Sequence, residues 1–183
     1  LGVGPDRVFD LIKTYEVQCD AHRSGTLHLA HSVNAISDLR AREQQWQSRD
    51  APVTLLDAQT TAQYVGSDIY HGALFDARAG VIQPLDYARG LARAAANEGA
   101  QIYEKTAAVH IERDDIWKVT TADGHMRASK LLIATNAYNN LTTATQVYDT
   151  SIVSYFQCVS QTLAQRDFDA ILPEHHGCWD TAF

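Results

Sequence analysis

The chain has 183 residues, 45% of them hydrophobic and 20% charged, with a formal net charge of −7. That length buries roughly 70% of the unfolded surface, enough for one domain or two small ones sharing a sheet, with no need of a staple. The acidic balance and the absence of a basic stripe exclude a nucleic-acid binder or an anionic membrane surface, and no apolar run approaches the ~20 residues of a spanning helix.

The first periodic segment is residues 5–17, with Val8, Phe9, Leu11, Ile12 and Tyr15 on one helical face and Pro5 in the first turn. "SGTLHLA" at residues 24–30 alternates and predicts a strand. Ser32 then suits the N-cap of a helix over 33–49, whose apolar positions are Val33, Ile36, Leu39 and Trp46. A short strand at 53–56 leads to Asp57, which caps a small helix, "AQTTAQYV". "IYHGALF" at 69–75 reads as a strand. Pro84 opens a strong helix, and Gly99 stands just past its end, where a positive φ is wanted.

Beyond that helix the pattern changes. "AQIYEK", "AVHIERD", "IWKVTTA" and "HMRASKLLIAT" follow closely as strands, with a hairpin turn at Asp123-Gly124. Within them "LLIAT" at 131–135 is apolar without alternation, the mark of a strand buried on both faces. A long strand, "TSIVSYFQCVSQT", and a strand-like end, "GCWDTAF", complete the chain. Interleaved helices and strands predict an α+β, or mixed α/β, class. The abrupt start and the uncapped end predict a segment of a longer chain.

Familiar chemical motifs are missing. No GxGxxG follows a strand, no GxxxxGK[ST] occurs, and no GxSxG elbow is visible. The three cysteines, Cys19, Cys158 and Cys178, are widely spaced and include no CxxC, which predicts reduced thiols in a cytoplasmic protein and neither a disulfide framework nor a zinc site. The histidine pairs His28/His31 and His175/His176 lack the three or four converging ligands a metal needs.

One ordered constellation remains, from Ala79 to Tyr138: Gly80 and Pro84 before a helix, Gly99-Ala100 after it, "AAVHI", "VTTADG", and "IATNAY". Asn136 at the end of the last run tolerates a left-handed φ, as glycine does. This order resembles the D-amino-acid-oxidase-like FAD-dependent oxidoreductases, the group of glycine, sarcosine and gamma-glutamylputrescine oxidases. "RSGTLHLA" and "YFQCVSQT…ILPEHHGCWDT" resemble the gamma-glutamylputrescine oxidase branch.

The resemblance implies a substrate-domain sheet with helices, plus part of an FAD-binding Rossmann-like domain. Residues 1–78 would be mainly substrate domain, 79–140 a partial FAD-binding segment, and 141–183 a return to the substrate-domain sheet. The glycine-rich βαβ unit that holds the pyrophosphate would lie upstream of Leu1. FAD would be met by Ala107, Ala108 and Val109 beside the adenine, and by Thr135, Asn136, Ala137 and Tyr138 near phosphate or ribose. Asn136 stands where the family usually has glycine. Tyr155, Gln157 and Trp179 are candidates to line the substrate pocket. The implied reaction oxidises a small amine or amino acid by hydride transfer to the flavin, which carries that chemistry, and no general base is singled out. A different class remains open from the residues alone: a non-catalytic domain that binds a ligand or partner and does not bind FAD by itself.

Overall fold

The computed structural model describes residues 2–136 and 156–181. Its elements run α1 (Gly4–Thr14), β1 (Thr26–Leu29), α2 (Ala35–Gln47), β2 (Val53–Asp57), α3 (Ala58–Val65), β3 (Gly72–Asp76), α4 (Pro84–Asn97), β4 (His110–Arg113), β5 (Trp117–Thr120), β6 (His125–Ala128), α5 (Gln165–Ala170) and β7 (Gly177–Asp180). They fall into two compact units, one of Leu1–Ala100 with Ser160–Phe183, the other of Gln101–Val159. The expected mixture of helices and sheets is what the chain adopts.

The first unit is built on a four-stranded sheet in the order β2-β3-β1-β7. β3 runs antiparallel to both β1 and β2, and β7 runs parallel to β1. Because strand side chains alternate between faces, the register sorts the sheet into rows. Leu55, Leu74, His28 and Trp179 form one row, and Leu56, Ala73, Leu29 and Asp180 a row on the opposite face. α2 covers the first face, with Ala35 and Leu39 packed on Ala30, Val53 and Leu74. On the other face Val65 of α3 joins Leu27, Leu29 and Ala73. β1 is therefore central and buried on both sides, with His28 as its one polar buried residue.

Local chemistry sets the helix ends. The Asp57 carboxylate accepts from the Thr60 N–H at 2.7 Å and caps α3 as the sequence predicts. Pro84 stands in the first turn of α4, where the Gln83 side chain accepts from the Asp86 N–H at 2.8 Å. Gly99 follows at φ +94°, the left-handed close expected there. α2 begins later than the predicted residue 33: Ser32 Oγ accepts from the Ala35 N–H at 3.3 Å, which caps the turn that leads into the helix.

The second unit is an antiparallel meander, β4-β5-β6. Its second hairpin closes through the Thr121 N–H donating to the Gly124 carbonyl at 2.8 Å, at the predicted Asp123-Gly124 turn. Ile111 is buried here, and Glu112 meets its cross-strand partner Lys118 at 2.9 Å.

Three predicted strands differ. Residues 101–106 form no strand, and Ile102 and Tyr103 are exposed. "AVHIERD" pairs only from His110 onward, although the Val109 N–H still donates to the Thr120 carbonyl at 2.8 Å. The apolar run 131–135 lies outside any sheet with Leu132 exposed, and residues 156–162 are likewise irregular, with Phe156 exposed. The physical reason is common to all of them. An apolar run becomes a strand only where a neighbour pairs with its N–H and C=O groups, and no described strand lies beside these residues. Residues 150–155 of the last predicted strand lie outside the described residues.

Candidate cofactor and substrate sites

Of the residues matched to the FAD site, Ala107, Ala108, Val109, Thr135 and Asn136 all belong to the second unit. Ala107 and Val109 are exposed, Ala108 and Thr135 half-buried. They lie on irregular segments flanking the meander, just before β4 and after β6. Asn136 has φ +50°, in the left-handed region that favours glycine. Ala137 and Tyr138 lie outside the described residues.

Donors for a pyrophosphate can be judged from the helix N-termini, where free N–H groups and the helix dipole would receive an anion. Each of the five helices already has an acidic group there: Asp6 in α1, Asp38 in α2, Asp57 capping α3, Asp86 in α4 and Asp167 in α5. No glycine-rich turn joins a strand to a helix start among the described residues. The described residues thus fit the edge of an FAD site and do not form its pyrophosphate anchor.

The substrate candidates separate. Trp179 lies on β7 in the first unit, and Gln157 is exposed on an irregular stretch in the second. Tyr155 lies outside the described residues. Trp179 is 48% exposed at the sheet edge. Its ring stacks on that of His28, its neighbour in register, with centroids 5.2 Å apart and 29° between planes.

His28 in turn meets Arg42 from α2, Nη1 to Nδ1 at 3.1 Å. A guanidinium only donates, so Nδ1 accepts and the His28 proton sits on Nε2. Burial lowers the pKa of His28 from its ordinary 6.5, and the Arg42 charge lowers it further, against an opposing pull from Asp180. The result is a neutral imidazole between an exposed indole and an exposed guanidinium. Such a surface can stack a flat or aliphatic group and hold a carboxylate on the remaining Arg42 N–H groups. Beside it, His31 Nδ1 and Thr181 Oγ1 lie 2.6 Å apart.

Sequence reasoning missed His28 and Arg42 as site residues. The signal for His28 was available in its alternation, which sets it on the face opposite Leu27 and Leu29. Nothing in the sequence alone shows that Arg42 reaches it across 14 residues. No group of His, Cys, Asp and Glu side chains placed to hold a metal ion occurs among the described residues.

Comparison with known proteins agrees with this fold. The family model for FAD dependent oxidoreductases (DAO) matches residues 4–174. The gamma-glutamylputrescine oxidoreductase of Escherichia coli (strain K12) is 34% identical over 136 residues, covering 74% of this chain and 32% of that protein. A probable oxidoreductase, OrdL, of Haemophilus influenzae is 34% identical over 136 residues, covering 73% and 31%. The chain therefore spans about a third of the length of the curated relatives it matches. Among solved structures, glycine oxidase from Geobacillus kaustophilus superposes with a TM-score of 0.60 at 23% identity, over 69% of this chain and 35% of that one. L-amino acid deaminase from Proteus vulgaris gives 0.61 at 16% identity, over 70% and 32%. These two share its fold. With nearly its whole length matched, the chain belongs to the family of FAD-dependent oxidoreductases.

Proposed function

We propose that this chain is part of an oxidoreductase that oxidises a small amine or amino acid, with residues 1–78 and 141–183 in the substrate domain and 79–140 in the cofactor domain. The observation that carries the reading is the continuous match of residues 4–174 to the FAD-dependent family. The amine class is supported by the 34% identity to a protein named gamma-glutamylputrescine oxidoreductase.

FAD, when bound, supplies the hydride acceptor. In this reading Ala107 and Ala108 offer backbone groups to the adenosine end, because the Val109 N–H is already donated to Thr120. Asn136, with Ala137 and Tyr138 after it, borders the phosphate or ribose. Trp179, with Gln157 and Tyr155, lines the substrate pocket. Trp179 and Arg42 orient the substrate, Arg42 through a carboxylate where the substrate has one, while the neutral His28 holds the indole from below. The partner is a small molecule, and no described helix is long and apolar enough to cross a membrane.

A titration with FAD, followed by flavin absorbance and tryptophan fluorescence, tests the reading on two samples. The 183-residue chain should bind weakly or not at all, because its helix N-termini are occupied by acids. The complete protein should purify with about one FAD per chain. A folded complete protein without flavin, even after FAD is added, would contradict the proposal.

A further inference from the structure

A cavity of about 510 Å³ opens in the first unit where the start of α1, the end of α2 and the end of β3 meet. Small-molecule sites occupy roughly 300–1,000 Å³. Its apolar wall is formed by Pro5, Trp46 and Ala51, and its charged groups are Arg49, Asp76 and Arg78.

Arg78 is held in one orientation. Its backbone N–H donates to Asp76 Oδ1 at 3.0 Å, its Nε–H to the same oxygen at 2.9 Å, and Nη2 to Oδ2 at 2.6 Å. Burial of Asp76 opposes its charge, and the hydrogen bonds and charge of Arg78 outweigh that, so its carboxyl is held below the ordinary 3.8. The guanidinium carbon of Arg78 lies 5.8 Å from the centre of the Trp46 ring. This fixed fork loses little freedom when it takes a ligand.

Arg78 Nη1 makes no hydrogen bond among the described residues. It points toward the start of α1, where a Cβ on Gly2 would stand 3.7 Å from it. The Arg49 guanidinium likewise has no ion pair or hydrogen bond among the described residues. Both Asp76 oxygens are turned to Arg78, so the cavity's two guanidiniums and one carboxylate leave a single positive charge unbalanced.

We propose that this cavity binds a small carboxylate with a flat, unsaturated body, its carboxylate received by Arg78 Nη1 and Arg49 and its body laid along Trp46. A monoanion balances the excess charge. A phosphate monoester, at about −1.5 to −2, overshoots it. None of these residues belongs to the candidate flavin or amine sites, and the site stands whether or not that reading does.

The test titrates cinnamate into the 183-residue chain, following the indole N–H resonance of Trp46, assigned with Trp46→Phe. The expected result is a saturable shift at Trp46 with Trp117 and Trp179 unmoved. Arg49→Gln should weaken cinnamate about tenfold, the loss of one charge-assisted hydrogen bond. Neutral cinnamamide should bind the unaltered chain at least about tenfold more weakly than cinnamate, a comparison that needs no variant to fold. Phenyl phosphate should bind more weakly than cinnamate. Absence of a saturable Trp46 shift, equal binding of cinnamamide, undiminished binding to folded Arg49→Gln, or tighter binding of phenyl phosphate would each overturn the assignment.

Discussion

Trp179 stacks on His28 across the β1–β7 ladder, with ring centroids 5.2 Å apart. The pair joins the buried centre of the sheet to its exposed edge, since His28 is 8% exposed and Trp179 48%. Arg42 completes the arrangement from α2 and keeps the imidazole as an acceptor. A side chain placed this way can change what is bound at the edge without disturbing the core beneath it.

Trp179→Ala in the complete protein should therefore raise KM for the amine several-fold while leaving kcat within about twofold, since uniform binding is lost and transition-state contacts are not. Steady-state kinetics across a substrate series measures this. A collapse of kcat at unchanged KM would place Trp179 in the chemistry instead of in binding.

The lowered pKa of His28 makes stability depend on pH. The folded state holds the His28 proton less tightly than the unfolded state does. Its contribution is fully present above the ordinary value of 6.5 and is lost as pH falls through the lower folded value. Urea midpoints should decline between pH about 7 and about 5. Arg42→Met removes the charge that lowers the pKa, so the His28 resonance should titrate at higher pH and that decline should shrink. An unchanged His28 titration would show that Arg42 does not act on it.

How much of this was legible in the sequence depends on range. Asp57 and Gln83 cap their helices through bonds to Thr60 and Asp86, three residues away, and Gly99 closes α4. The capping by Asp57 and the role of Gly99 were readable because the partner group is local. The 131–135 run was misread for the opposite reason: its apolar composition implies a neighbour that no described strand provides. At the candidate site, Trp179 was readable as a flat strand residue. Its stacking on His28 was not, because that rests on a parallel pairing between segments about 150 residues apart.

Gly80 and Gly99 share a sequence signal but should respond differently to substitution. A Cβ on Gly80 would lie 2.2 Å from the His22 carbonyl oxygen, so Gly80→Ala should cost about 1–3 kcal/mol through overpacking. At Gly99 a Cβ meets nothing within 4 Å, and its φ of +94° alone is strained, so Gly99→Ala should cost about 1 kcal/mol. Urea unfolding of the two variants gives the comparison, and a larger loss at Gly99 would contradict it.

Asn136, at φ +50°, should accept glycine without loss. In the complete protein Asn136→Gly should retain FAD affinity, while Asn136→Trp should weaken it without unfolding the chain. Isothermal titration of the apoprotein with FAD measures both. Full affinity in Asn136→Trp would remove this residue from the cofactor's edge.

The most direct measurement mixes the complete, FAD-loaded protein with a panel of small amines and amino acids in the absence of oxygen and follows the flavin absorbance near 450 nm (about 450 nm for oxidised flavin, the cofactor's own band). The account predicts saturable bleaching by at least one amine, with release of the corresponding oxidised product. A folded, fully loaded protein whose flavin no amine or amino acid reduces would contradict it.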